Sequence, residues 1–334
     1  MTPGAATATP FQGLSPDMVL DLASEAGIEP DGRLFALNSY ENRVYRVGCE
    51  DGGAVVLKVY RPGRWSDAEI GEEHEFAAEL AARDVPVVAP LRHGGRSLHH
   101  ARGFRFAAFP LQPGGAPDLD QAGARELLGR TLGRLHAVGA LRPFRHRPRL
   151  AGARLGADAR RAVLESGMLP AHVEARYAHV SAELVVAIRS AFDAAGDVDA
   201  IRLHGDCHLG NILWHGHGPI FVDLDDCQQG PRVQDLWMFL SGDADAQRGQ
   251  WAELSAGYLQ FSDLDFRELR LIEALRGARM LNHAAWLVER WADPAFPRAF
   301  PWVAEARYWE RYADDLAEQG ALVGAPPLLQ SFGG

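Results

Sequence analysis

Asp206, Asn211, Asp223 and Lys58 are of the right types, at the right spacings, to move a phosphoryl group. Asp206 and Asn211 lie five positions apart in Leu203-His204-Gly205-Asp206-Cys207-His208-Leu209-Gly210-Asn211-Ile212-Leu213-Trp214. Nine residues beyond Asn211 comes Ile220-Phe221-Val222-Asp223-Leu224-Asp225-Asp226, an apolar strand-like run that ends on a carboxylate. Lys58 is the only lysine of the chain, since 33 of its 34 Lys+Arg are arginine. It falls in Val55-Val56-Leu57-Lys58-Val59-Tyr60, an apolar run rich in β-branched residues that predicts a buried strand. An ammonium on a buried strand is costly unless it is paired. The arginine fork does not replace a compact point charge where a phosphate must be met.

Phosphoryl transfer needs an oriented nucleophile, held nucleotide phosphates and neutralised developing charge. Asp206 would accept a hydrogen bond from an acceptor hydroxyl, and its proton late in the reaction. Asn211 and Asp223 offer the hard oxygen ligands that magnesium prefers. Lys58 would hold the α- and β-phosphates of ATP, fixed in place by a carboxylate. Glu73 is the candidate for that carboxylate, with Glu72 and Glu75 as second choices on the same helix. The turn Asn38-Ser39-Tyr40-Glu41-Asn42 would cover the phosphates through Ser39 and backbone N–H groups. It lacks the glycines of a G-x-G-x-x-G loop and reads equally as an ordinary polar hairpin turn. Asp225 is a secondary metal or substrate contact, or a cap for the next segment. Asp235 is expected to brace the catalytic loop rather than touch substrate. His204, His208, His215 and His217 match no standard zinc spacing, and His204 reads as structural. Trp286, Trp291, Phe296, Phe300 and Trp302 read first as core, with a substrate groove as the alternative.

The elements that must position these residues follow from periodicity and turn signals. A helix is expected over 14–26, then strands over 33–37, 43–47 and 54–60, with Glu50-Asp51-Gly52-Gly53 as a hairpin turn. Ser66 and Glu69 have capping-box spacing, which starts a helix over 67–83. Strands over 87–93 and 104–109 complete a small sheet covered by one helix. Pro110 to Pro117 reads as a linker. Beyond it helices are expected over 120–139, 158–166, 171–195, 232–241, 247–260, 265–291 and 303–319. The two catalytic motifs interrupt them.

Bulk properties narrow the function class. At 36.5 kDa the chain can form two lobes, each with a core. A net charge of −10 argues against a nucleic-acid partner. The three cysteines, Cys49, Cys207 and Cys227, suit neither a disulfide framework nor a zinc site, which fits a reducing cytosol. No run reaches the ~18 apolar residues needed to cross a bilayer. The N-terminal residues lack the pattern of a signal peptide.

His204 to Asn211, taken with Val222-Asp223, resembles the aminoglycoside phosphotransferase and choline kinase superfamily. Leu37 to Tyr45, Glu72-Glu73-His74-Glu75-Phe76, Val85-Pro86-Val87, Val222 to Asp226, Val233 to Trp237 and Arg290 to Pro297 are similar to the bacterial stress response kinases. This likeness spans about residue 14 to Pro327. It implies an α+β, protein-kinase-like bilobal fold. Residues 1–110 would form a lobe of antiparallel sheet plus one helix, and residues 111–334 a mostly helical lobe. It further implies a cytoplasmic, monomeric, ATP- and Mg²⁺-dependent kinase acting on Ser/Thr of proteins in a stress response. The proton acceptor would be Asp206, the magnesium ligands Asn211 and Asp223, and an ATP contact Ser39. Relative to eukaryotic protein kinases, His208 replaces the catalytic-loop lysine and no Ala-Pro-Glu segment follows Asp223. A small-molecule kinase for an amino alcohol, an aminoglycoside or homoserine is the main alternative. A pseudokinase scaffold is a weaker one.

Overall fold

The computed structural model describes residues 10–150, 152, 155–216 and 218–329. The described residues fall into two compact units, one within residues 1–117 and 212–225 and the other within 118–211 and 226–334.

In the first unit, helix α1 (Pro16–Glu25) starts on Ser15, whose side chain accepts a hydrogen bond from the Met18 N–H. Strands β1 (Pro30–Ala36), β2 (Arg43–Cys49) and β3 (Ala54–Val59) follow, then helix α2 (Asp67–Ala81), β4 (His99–Ala101) and β5 (Phe104–Pro110). The five strands form one antiparallel sheet in the order β1-β2-β3-β5-β4. Because strand side chains alternate, β3 divides its residues between two faces. Val55, Leu57 and Val59 pack with Val19, Leu22 and Ala23 of α1 in one core. Lys58 and Tyr60 point to the other face, where Tyr60 packs with Ile70 of α2. The capping box is formed: the Glu69 N–H donates to Ser66 Oγ at 3.3 Å, and the Ser66 N–H donates to Glu69 Oε2 at 2.7 Å.

The strand expected over 87–93 is not one. Pro86 and Pro90 have no N–H to give a ladder, and the segment makes only isolated bridges. Val88 donates to the Phe221 carbonyl and Leu91 to that of Ala108. The sheet edge is β4 instead, reached through a Gly94-Gly95 turn in which both φ angles are positive. A two-stranded ribbon, Ile212–His215 with Gly218–Phe221, completes the unit and leads into Asp223.

The second unit holds helices α3 (Ala124–Gly139), α4 (Ala157–Glu165), α5 (Ala171–Ala195), α6 (Ala244–Tyr258), α7 (Ile272–Glu289), α8 (Ala295–Ala299) and α9 (Ala306–Gly324). Helix α6 begins ahead of its expected start because Asp243 caps it, accepting from the Ala246 N–H at 2.9 Å. Helices α3 and α6 cross where neither has room for a side chain. A Cβ on Gly129 would lie 2.0 Å from the Leu254 carbonyl oxygen, and one on Gly257 1.9 Å from that of Glu126.

The helix expected over 232–241 is two short 3₁₀ turns, Arg232–Asp235 and Trp237–Phe239. Side-chain bonds set that winding. The Val233 N–H is taken by Glu268, while Gln234 and Asp235 both turn to the backbone of His204-Gly205. The helix expected over 265–291 likewise opens as a 3₁₀ turn, Phe266–Leu271, before α7.

Candidate active site

In the first unit, the β3 alternation aims Lys58 at α2 and the segment after the ribbon. Its Nζ lies 2.9 Å from Asp223 Oδ1, 3.0 Å from Asp225 Oδ1 and 3.4 Å from Glu73 Oε1. Burial alone would lower the Lys58 pKa, but the charges of Asp223, Asp225 and Glu73 outweigh it and hold the ammonium well above its usual range. Lys58, Glu73 and Asp225 are buried, whereas the Asp223 side chain is 51% exposed. Asp223 has φ of +59°, a left-handed conformation that a non-glycine residue seldom adopts. Asp225 is tied down by Arg64 and by Asn42, whose Nδ2 donates to Asp225 Oδ2 at 3.1 Å. The Asn42 Oδ1 accepts from the Arg61 N–H at 3.0 Å, so this buried amide is satisfied at both ends. On the same face, Tyr60 shares a 2.7 Å hydrogen bond with His74 Nε2, and Lys58 Nζ sits 5.0 Å from the centre of its ring. Ser39 is not drawn into this cluster, since its hydroxyl donates to the Asn42 carbonyl at 3.3 Å.

In the second unit, the loop of Asp206 is suspended from one buried carboxylate. Asp235 accepts from the His204 N–H at 2.7 Å and the Gly205 N–H at 2.9 Å. Its Oδ2 is also 3.1 Å from His136 Nε2, and His136 Nδ1 is 2.8 Å from the Tyr258 hydroxyl. Gly205 must be glycine, with φ of +88° and its Cβ position only 2.0 Å from the Asp226 carbonyl oxygen. The bracing expected of Asp235 is therefore present. The Gly210 N–H donates to His208 Nδ1 at 2.9 Å, which leaves Nε2 as the protonated nitrogen; it lies 3.4 Å from Asp206 Oδ2. Arg279 of α7 pairs with the other Asp206 oxygen. Burial would raise the Asp206 carboxyl, but the hydrogen bond from His208 and the charge of Arg279 hold it well below the usual carboxylate range. Asn211 Nδ2 donates to the Asp206 carbonyl at 3.0 Å, which leaves its Oδ1 as the oxygen able to take a ligand.

Residues 34–272 match the model of the "Phosphotransferase enzyme family". The chain belongs to the phosphotransferase enzyme family. It is 43% identical over 318 residues to stress response kinase A of Escherichia coli strain K12, covering 95% of this chain and 96% of that protein. It is equally similar to the "Serine/threonine protein kinase RdoA" of Salmonella typhimurium, at 43% over the same shares. Among solved structures, an amicoumacin kinase in complex with AMP-PNP, Ca²⁺ and amicoumacin superimposes with a TM-score of 0.71 over 95% of both chains, at 18% identity. That last likeness is one of fold: an antiparallel five-stranded sheet followed by a mostly helical part.

Kinases of the phosphotransferase family use ATP, and each unit offers a hard oxygen of the kind its usual metal takes. Magnesium takes one or two carboxylates plus phosphate oxygens and keeps several waters, so a dedicated protein cage is not required. The half-exposed Asp223 carboxylate and the Asn211 Oδ1 are hard oxygens of that kind. Among the described residues no three His, Cys, Asp or Glu side chains converge on one metal position. His217 lies outside the described residues. Of the aromatics, Phe296 is buried core, while Trp302 is 37% exposed.

Asn42, Arg64, His136 and Arg279 escape the reading of the sequence. Asn42 carries a local signal, since it closes the polar turn that holds Ser39. The other three act through partners about 100 or more positions away, or 73 for Arg279, and nothing in their own neighbourhood announces it.

Proposed function

We propose that this phosphotransferase moves the γ-phosphoryl group of ATP to Ser/Thr hydroxyls of protein acceptors, as a monomer in the cytoplasm, in a stress response. The observation that carries this reading is the 43% identity to proteins named stress response kinase A and serine/threonine protein kinase RdoA, over 95% of this chain. The free thiols of Cys49, Cys207 and Cys227 agree with a reducing compartment. No helix among the described residues is long and apolar enough to cross a membrane.

In this reading Asp206 orients the acceptor hydroxyl and takes its proton at a carboxylate oxygen. Its depressed pKa makes it a weak base. That suits a loose transition state, in which the hydroxyl gives up its proton late. His208 and Arg279 keep the carboxylate ionised and fix both its oxygens, so little reorganisation is needed during transfer. Lys58 binds the α- and β-phosphates and Glu73 holds it to that task. Ser39 contacts ATP by turning its hydroxyl away from the Asn42 carbonyl. Asp223 and Asn211 would hold Mg²⁺, which neutralises charge on the phosphates when bound. Asp235 keeps the Asp206 loop in its conformation without touching substrate.

The test is transfer of labelled γ-phosphate from ATP with Mg²⁺, offering a generic protein acceptor and a panel of small alcohols side by side. Label on protein that disappears in Asp206→Ala is the expected result. Label on a small alcohol alone would overturn the protein-acceptor assignment.

A further inference from the structure

We propose that Arg279 is the acceptor-side specificity residue of this kinase, selecting Ser/Thr hydroxyls that lie in acidic protein segments. The inference rests on the protein-acceptor reading above. Arg279 pairs with Asp206 across 73 positions of the chain.

A guanidinium has five N–H donors in a fixed fork. Asp206 takes one terminal nitrogen, Nη1, of the Arg279 fork, and the side chain is still 44% exposed. The remaining N–H groups can donate to a second carboxylate in bidentate fashion. A hydroxyl that reaches Asp206 thus arrives beside a fixed positive charge. A carboxylate near that hydroxyl would be drawn to Arg279, and an ammonium would be repelled. Small cationic acceptors such as amino alcohols are the wrong sign for this position.

The rest of the same face of α7 fits an extended acceptor chain. Arg276, Arg279, His283 and Trp286 recur at three- and four-residue spacings and so share one side of the helix. Arg276 is occupied, 3.2 Å from Glu273 and stacked 4.9 Å from the Trp237 ring. His283 stacks on Trp286 at 5.7 Å, and burial together with the Arg279 charge lowers its pKa, leaving it neutral at physiological pH. Trp286 packs edge-on against Phe300, which in turn meets the exposed Trp302. The surface leading away from Asp206 is therefore a guanidinium followed by neutral aromatics. It suits a segment with an acidic residue next to Ser/Thr and an apolar residue further along.

The experiment uses the full chain with ATP and Mg²⁺ on three Ser peptides that differ only in acidic, neutral or basic residues flanking the serine, with ethanolamine as a fourth acceptor. Wild type, Arg279→Gln and Arg279→Lys are compared by kcat/KM ratios. A charged bidentate contact predicts an acidic-over-basic ratio of about tenfold or more in wild type. The ratio should fall to near one in Arg279→Gln and survive in part in Arg279→Lys. A wild-type ratio near one overturns the inference, whatever the total activity of the variants. So does a ratio that Arg279→Gln leaves unchanged. Label on ethanolamine with none on any peptide overturns the protein-acceptor reading and this inference together. Equal label on all three peptides overturns this inference alone.

Discussion

Lys58 Nζ and Asp223 Oδ1 are 2.9 Å apart although 165 positions separate the two residues in the chain. Asp225 and Glu73 crowd the same ammonium. Three carboxylates thus share one lysine, and only Asp223 among them is open to solvent. Asp223 is therefore the carboxylate of the three that a divalent cation could reach from solvent. In the proposed reading nucleotide phosphates would replace Asp223 as the partner of Lys58, so the buried ammonium would stay paired before and after nucleotide binds.

Lys58→Arg is expected to lose transfer activity by about 10²-fold while remaining folded. The fork is too wide for a position that takes three carboxylates within 3.4 Å of one nitrogen. Label transfer gives the rate, and thermal unfolding confirms that the fold is intact. Near-normal activity would reduce the single lysine to an accident of an arginine-rich composition. In parallel, Asp223→Ala should abolish the gain in ATP affinity on adding Mg²⁺, and an undiminished gain would remove Asp223 from the metal site.

Asp235→Ala should cost about 3–5 kcal/mol of stability, because the His204 and Gly205 N–H groups and His136 would all lose a buried partner. Asp235→Asn keeps one acceptor oxygen and should cost less. Both variants should lower kcat far more than they raise KM for ATP, since the residue holds the loop of Asp206. Urea unfolding and steady-state kinetics separate the two effects. A variant with normal kcat would show that the loop keeps its shape without this brace.

How much of this was written in the sequence depends on the range of each interaction. The strand of Lys58 was legible because β3 is an unbroken apolar run. Helix α2 was legible because Ser66 and Glu69 satisfy each other within four residues. Asp206, Asn211 and Asp223 were legible because a loop and a strand of fixed length set their spacing. The segment over 87–93 misled because β-branched residues outweighed Pro86 and Pro90, although one missing N–H in each case is enough to break a ladder. The segment over 232–241 misled because its winding is imposed by Glu268 and by the His204-Gly205 backbone, neither of them local. Arg279 reads as one more solvated helix charge until the fold places Asp206 beside it.

Gly257→Ala should destabilise the chain by about 1–3 kcal/mol, since its methyl would fall 1.9 Å from the Glu126 carbonyl oxygen and force α3 and α6 apart. The consequence reaches the site. His136 on α3 and Tyr258 on α6 are bonded to each other, and His136 holds Asp235. The variant should therefore lower kcat as well as the melting temperature. An alanine as stable and as active as wild type would mean that the crossing yields without strain.

Glu268 makes a prediction about pH. It is fully buried, accepts from the Val233 N–H at 2.9 Å, and has Arg232 at 3.8 Å. Burial pushes its carboxyl up and these two neighbours only partly pull it back, to about 7 from an ordinary value of 4.5. The folded state thus holds this proton more tightly than the unfolded state does. Below pH 4.5 the residue contributes nothing to pH dependence. Between 4.5 and about 7 stability falls as pH rises, and above that it levels off. The full effect is about 3 kcal/mol. Glu268→Gln keeps an acceptor for the Val233 N–H and cannot ionise. It should match wild type in urea unfolding near pH 5 and exceed it near pH 8. A stability difference that is the same at both pH values would show that Glu268 does not titrate in this range.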